Sequence, residues 1–197
     1  MYIDLNPITK KISQLPTPVI IGISGFGGSG KSTFATFLSK ALDAPIIGVD
    51  SFCTSNLHQG HTFWDIMDYS RLENEVLIPC LQGEISLTYG VYGLDKDESL
   101  TGVQIEHTGI VIVEGVGLFR PELRKYFSLS IWIDCPIEEA IERGEKRDKE
   151  LYGNPQNFLW EGVWKEQDLE CFENYQPKKY VDFVLDHSKV GEWSFLP

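Results

Sequence analysis

The sequence predicts an α/β fold. It is a three-layer arrangement with a parallel sheet of about five strands, helices on both faces, a small β excursion and a closing segment. Three observations carry this expectation. Unbroken apolar runs rich in β-branched residues recur along the chain, as in strands covered on both faces. Helix-patterned segments separate most of them, which favours right-handed crossovers between parallel strands. A glycine-rich loop joins the first clear run to the first clear helix.

Taken in order, residues 3 to 15 place Ile3, Leu5, Ile8, Ile12 and Leu15 on one helical stripe, with Pro16 and Pro18 as the stop. Strands are predicted at VIIGI (19 to 23), APIIGV (44 to 49), IVIV (110 to 113), LSIWI (129 to 133) and VDFVL (181 to 185). Helices are predicted over 31 to 42, 68 to 82, 120 to 127, 136 to 150 and 158 to 175. Residues 86 to 109 break the rhythm with β-type alternation, glycines and an acidic turn, and are read as the β excursion. A second break, ELYGNPQNF (150 to 158), is polar and turn-rich.

The chain has 197 residues, enough for one domain with a substantial core, and is read as a single domain over 1 to 197. Its hydrophobic share of 42% and charged share of 23% are those of a soluble globular protein. The formal net charge of -12 argues against nucleic acid or an anionic membrane as partner. Any anionic ligand must therefore be held locally, by backbone amides and a few placed cations. The cysteines Cys53, Cys80, Cys135 and Cys171 form no CxxC pair, so buried thiols are expected rather than disulfides or zinc. MYIDLNPITKKISQL lacks a long apolar core after its basic residues, and no apolar run is long enough to span a bilayer. A cytoplasmic location is expected, and the assembly is left open between monomer and homo-oligomer.

The loop GFGGSGKST, Gly25 to Thr33, matches G-x-x-x-x-G-K-[ST] at Gly25, Gly30, Lys31 and Ser32. Glycine lets successive N–H groups converge on phosphate oxygens, and the following helix adds its unpaired amides and positive dipole end. The nucleotide-binding set is Gly25, Gly27, Gly28, Ser29, Gly30, Lys31, Ser32 and Thr33. Lys31, expected as a solvated ligand, reaches the β/γ-phosphates; the Ser32 hydroxyl ligates Mg²⁺; Thr33 serves the α-phosphate. A chance Gly/Ser-rich turn is the bland alternative, and a strand before and a helix after argue against it. No N-K-x-D tetrapeptide and no LSGGQ-type loop is present, which excludes a GTPase and a transporter ATPase. A nucleotide-dependent small-molecule kinase, or an ATPase of another type, remains.

Ligands of an open parallel sheet bind beyond the carboxyl ends of its strands. Two predicted strands end there in an acid, IIGVD at Asp50 and IVIVE at Glu114. Glu114 is placed to hold Mg²⁺ through water. Asp50 is placed to accept the proton of an acceptor hydroxyl and align it with the γ-phosphate, the alternative being a helix N-cap.

GFGGSGKST, IIGVDSFC, VIVEGVGLF and IERGEKRD, in this order, resemble the uridine kinase and phosphoribulokinase family of P-loop kinases over residues 19 to 186. The resemblance implies a P-loop NTPase fold and ATP·Mg²⁺ as donor, with Asp50 as catalytic base. It also implies a lid over about 143 to 157 carrying Arg143 and Arg147 of an R-x-x-x-R-D pattern closed by Asp148. The ERGEKRDKE run also reads as a solvated helix face. The family follows the tyrosine of its β excursion with a histidine and an arginine, whereas VYGLDKDESL offers Tyr92 and then only Lys96 among acids. That disfavours a phosphorylated acceptor. A nucleoside or related small alcohol is the first expectation; pantothenate, a sugar, or an inactive nucleotide-binding regulator are the alternatives. Phe52, Trp64, Tyr89 and Tyr92 are stacking candidates or core residues. Asp65 and Asp68 are candidate hydroxyl partners, with an N-cap as the other reading of Asp68. His58 and His61 are loop residues.

Overall fold

Strand β1 (Val19–Gly25) is buried at every residue, because it lies at the middle of a sheet packed on both faces. A computed structural model describes residues 3–53, 67–92, 100–151, 153 and 157–196. It shows a six-stranded sheet in the order β2-β5-β1-β6-β7-β8. The strands are β2 (Ile46–Gly48), β5 (Ile110–Glu114), β6 (Leu129–Asp134), β7 (Phe183–Asp186) and β8 (Ser194–Leu196). The first five in this order run parallel; β8 pairs antiparallel with β7. The parallel five match the sequence expectation, and β8 is a sixth strand the sequence reading did not anticipate. At three residues it carries too little pattern to be read.

The apolar runs are unbroken because alternate residues serve opposite layers. Ile20, Val111 and Val113 enter one core with Phe26, Phe52, Leu72, Val76 and Trp132. Ile21, Ile23, Ile112 and Ile131 enter the other with Ile8, Ile12, Phe34 and Leu38. Helix α1 (Asn6–Ile12) and helix α2 (Lys31–Leu42) cover this second face. The amphipathic stripe predicted over 3 to 15 is helical only between Asn6 and Ile12, yet Leu5 and Leu15 still pack on that core.

On the first face, helix α3 follows the turn after β2. It comprises Tyr69–Leu72, a π-helical turn Glu73–Leu77 and Ile78–Leu81. The π turn precedes Pro79, which has no N–H to give to the turn before it. Asp68 caps α3 by accepting the Arg71 N–H at 3.0 Å, so the capping reading of that acid holds. The β excursion is an antiparallel hairpin of β3 (Ser86–Tyr92) and β4 (Leu100–Glu106), clamped to α3 by one ion pair. Arg71 grips Glu75 through Nε at 2.8 Å and Nη2 at 3.0 Å; Arg71 Nη2 also donates to the Gly90 carbonyl, and Glu75 accepts the Gly90 N–H. This bonding holds the Glu75 carboxyl below the usual range.

Helix α4 (Ile137–Leu151) follows β6. Helix α5 comprises Asn157–Leu159, a π-helical turn Trp160–Trp164 with a break at Gly162, and Lys165–Tyr175. The helix expected over 120 to 127 does not form. Only a 3₁₀ turn, Arg124–Tyr126, is present, where the Arg124 side chain bonds the Phe119 and Tyr175 carbonyls and ties the segment to α5. The four cysteines are free thiols; Cys80 and Cys135 are buried, whereas Cys53 and Cys171, expected to be buried as well, are half-buried. Among the described residues no helix is long and apolar enough to cross a membrane.

Candidate functional site

The strand order decides what meets what. β1 delivers its loop between β5 and β6, so the ends of β2 and β5 flank it on one bank and the ends of β6 and β7 on the other. A cleft of about 500 Å³ opens at this edge. It brings together Gly27, Gly28, Gly30, Lys31, Ser32, Thr33, Asp50 and Glu114, and also Arg143 and Arg147.

The loop takes its shape from glycine where side chains could not fit. Gly28 (φ 78°) and Gly30 (φ 103°) are in the left-handed region, and Gly30 starts α2. A Cβ on Gly28 would lie 1.9 Å from the Ala140 carbonyl oxygen of α4, and one on Gly30 2.6 Å from His187 Nδ1. The loop is thus wedged between α4 and the end of β7.

Lys31 differs from expectation. It is 7% exposed, and its Nζ donates to the Phe26 carbonyl at 2.7 Å. Burial pulls its pKa down, while Glu114, Asp168 and Asp50 act in the opposite direction. A buried ammonium needs an acceptor, and the loop's own carbonyl supplies one. On the β5 side, Ser32 Oγ donates to Glu114 Oε1 at 3.0 Å. Burial pushes the Glu114 carboxyl up, against the pull of Lys31 and Ser32. A hydroxyl–carboxylate pair that faces the cleft beside a phosphate loop fits Mg²⁺, a hard cation that takes few protein oxygens and completes its shell with phosphate and water. Asp50 sits in the 3₁₀ turn Val49–Phe52 directly after β2, exposed and lining the cleft.

The acceptor-side candidates fare unequally. Phe52 is fully buried and stacks on Tyr89 with ring centroids 5.3 Å apart, so both belong to the core and neither is a stacking platform in the cleft. The turn after β2 drives the Phe52 ring inward while Asp50 faces out. Trp64, Asp65, His58, His61 and Lys96 lie outside the described residues. Tyr92 is the last residue of β3, and its side chain lies outside what the structure describes.

On the far bank, α4 carries both arginines, and they are held differently. Arg143 donates from Nη1 to the His187 carbonyl at 2.8 Å and from Nη2 to the Ser188 carbonyl at 2.9 Å, with its side chain 17% exposed. Arg147 is 47% exposed and forks onto Asp148 Oδ1 through Nε at 3.0 Å and Nη2 at 2.8 Å. Asp148, buried, also accepts the Trp160 indole N–H at 2.8 Å.

Four lining residues escape the motifs. Trp160 and Trp164 stand edge to face, centroids 4.8 Å apart. Asp168 of α5 accepts the Gly27 N–H at 2.6 Å. His187, just past β7, stacks on Trp193 at 3.8 Å with its Nδ1 2.7 Å from the Ser29 carbonyl, so that nitrogen carries the proton. Burial pulls the His187 pKa below its ordinary value, as does Arg143. Only His187 had a sequence signal, its place at the carboxyl end of a predicted strand. Among the described residues no group of three or more His, Cys, Asp or Glu could hold a metal.

A central parallel sheet with a glycine loop between β1 and α2, and an acid at each neighbouring strand end, defines a P-loop nucleotide-binding protein. Residues 21–161, more than half of the chain, match the AAA domain family, and the chain belongs to it. The uridine kinase of Borrelia duttonii (strain Ly) is 27% identical over 178 residues, covering 84% of this chain and 85% of that protein. The uridine kinase of Aliivibrio salmonicida is 28% identical over 185 residues, covering 85% of each. A solved structure described as a possible uridine kinase from Bacillus stearothermophilus shares the fold. Its TM-score is 0.67 at 23% identity, over 91% of this chain and 96% of that one. The chain is therefore uridine kinase-like, and these likenesses support a small-molecule kinase, a phosphotransferase that binds nucleotide at its P-loop.

Proposed function

We propose that this protein transfers the γ-phosphate of ATP, with Mg²⁺, to a hydroxyl of a nucleoside or related small alcohol. The observation that carries the reading is the convergence of Lys31, the Ser32–Glu114 pair and Asp50 on one cleft around the glycine loop.

Phosphoryl transfer needs positioning and charge stabilisation more than covalent help. The loop amides and the start of α2 hold the phosphates. Lys31 leaves the Phe26 carbonyl for phosphate oxygens, to which its charge is better matched. Ser32 and Glu114 hold Mg²⁺, which when bound neutralises charge on the β- and γ-phosphates. Asp50, exposed at the mouth, aligns the acceptor hydroxyl and takes its proton. Arg147, at the outer part of α4, turns its guanidinium from Asp148 to the transferring phosphate, where a planar fork grips oxygens bidentately. The lid spans about 143 to 157, of which 152 and 154–156 lie outside the described residues; Leu151 within it and Phe158 just past it are exposed apolar side chains. Covering them on closure would exclude water from the reacting phosphate.

The test is an acceptor screen reading ADP release from ATP against nucleosides, pantothenate and sugars. ADP release dependent on a nucleoside is the expected result. Release driven only by pantothenate or a sugar moves the acceptor class, and no acceptor-dependent release with any of the three overturns the kinase reading.

A further inference from the structure

The amide of Gly27 belongs to the loop that the sequence assigns to phosphate, yet a carboxylate already occupies it. Asp168 Oδ2 accepts that N–H at 2.6 Å, across 141 positions of chain. Asp168 also acts on Lys31, the cation assigned to the β/γ-phosphates. It thus takes a loop amide that a phosphate oxygen would take, and its charge acts on the same ammonium, in a part-buried setting.

The position along the loop matters. Amides close to the start of α2 take the inner phosphates, and Gly27 is the lining glycine farthest from that start. Asp50, which faces the acceptor end of the cleft, also acts on Lys31. Asp168 therefore lies towards the phosphate that is transferred.

Resting on the nucleotide reading above, we propose that Asp168 is a specificity-determining residue that competes with the terminal phosphate of a bound nucleotide. It competes for the Gly27 amide and for Lys31, so the triphosphate carries a binding penalty that the diphosphate does not. One N–H cannot serve two anions at hydrogen-bonding distance, and like charges repel in a buried cleft. Entry of the terminal phosphate requires Asp168 to move away or to take up a proton. Proton uptake is within reach near neutrality, since burial pushes the Asp168 carboxyl up to about 6, against Lys31 and the Gly27 N–H. Around it stand Lys31 of α2, Tyr69 of α3 and Cys171 of its own helix, while Asp50, Glu114, Arg143, Arg147 and His187 line the same cleft. Lower pH protonates Asp168 and shrinks the penalty; higher pH enlarges it.

Calorimetric titration of the full chain with Mg²⁺ and no acceptor tests this, using ADP and a non-hydrolysable ATP analogue. Asp168→Asn keeps an oxygen for Gly27 and removes the charge; Asp168→Ser is the second variant, with thermal melting as the fold check. At pH 8, Asp168→Asn is expected to bind the triphosphate roughly tenfold tighter, the change that one unit of pKa represents. ADP affinity should move far less. Comparing variant with wild type cancels the nucleotide's own titration, and the gain should shrink at pH 6. Weaker triphosphate binding, an equal change for both nucleotides, or a gain that does not shrink with pH overturns the proposal while ADP binding leaves the nucleotide site standing. Failure of the wild type to bind either nucleotide overturns both.

Discussion

The two banks of the cleft are built on different principles. The β2–β5 bank is set by the sheet: Asp50 and Glu114 stand at strand ends beside Lys31 and Ser32, and backbone position alone explains them. The β6–β7 bank is set by side-chain bonds between elements. Asp168, Trp160, Arg143 and His187 line the cleft from two helices and a strand end, and each is held by a hydrogen bond to another element. The difference separates the reactive apparatus from the frame that shapes and shields it. Substitutions on the first bank should strike turnover, and those on the second, Arg147 apart, should act on affinity or stability.

The strongest test is Lys31→Ala, expected to lower turnover by roughly 10³-fold or more. Because Lys31 is buried among carboxylates, the variant should also melt at a lower temperature. Unchanged ATP-dependent turnover would remove the kinase reading. Next comes Arg147→Ala, expected to lower the turnover number by roughly 10²- to 10³-fold with a smaller change in ATP affinity, Arg147→Lys recovering only part. Near-normal turnover in both would make Arg147 a surface residue and leave the comparison intact. Asp50→Asn should cost roughly 10²-fold in turnover while nucleotide affinity barely moves. Glu114→Gln should instead raise the Mg²⁺ concentration needed for half activity; a reversed pattern would exchange the two roles.

Smaller effects belong to the rest of the far bank. Arg143→Ala leaves the His187 and Ser188 carbonyls without their donor and should cost about 1–3 kcal/mol of stability by denaturant melts, with turnover changed less than Arg147→Ala changes it. His187 gives a pH test. Its folded pKa lies below the ordinary value, so the unfolded chain binds more protons in the interval between them. Its contribution is present above about 6.5 and is lost as pH falls. His187→Gln should therefore flatten the fall in melting temperature between pH 7.5 and 5.5, and identical slopes would refute the assignment.

The legibility of the sequence follows the same division. The first bank could be read because a contiguous motif and a strand-end rule both refer to nearby backbone. The parallel sheet could be read because apolar runs covered on both faces have no alternation to obscure them. Asp168 could not: in KEQDLECFENY it lies among Glu166 and Glu170 and looks like a solvated acidic face. Its role depends on how α5 runs past the loop, which a π turn and the break at Gly162 decide. Phe52 is open in the sequence between a stacking and a core role because alternation after a strand end does not say which way a 3₁₀ turn points its ring. Over 120 to 127 the backbone closes i→i+3 turns, such as Leu123 N–H to Arg120 and Tyr126 N–H to Leu123, in place of a helix, and the Arg124 side chain ties them to the Phe119 and Tyr175 carbonyls.

Arg143 has a mechanical consequence. By bonding the backbone of His187 and Ser188, it pins α4 to the end of β7 at one point along the helix. Beyond that point α4 extends to Leu151, about 12 Å further at a rise of about 1.5 Å per residue. The pinned arginine is then a fulcrum and the outer helix a lever arm. A rotation of only about 10° about it would carry Leu151 through about 2 Å. A small tilt at the pivot would be magnified at the tip, while the glycine loop, wedged on the pivot side against Ala140, would hardly feel it.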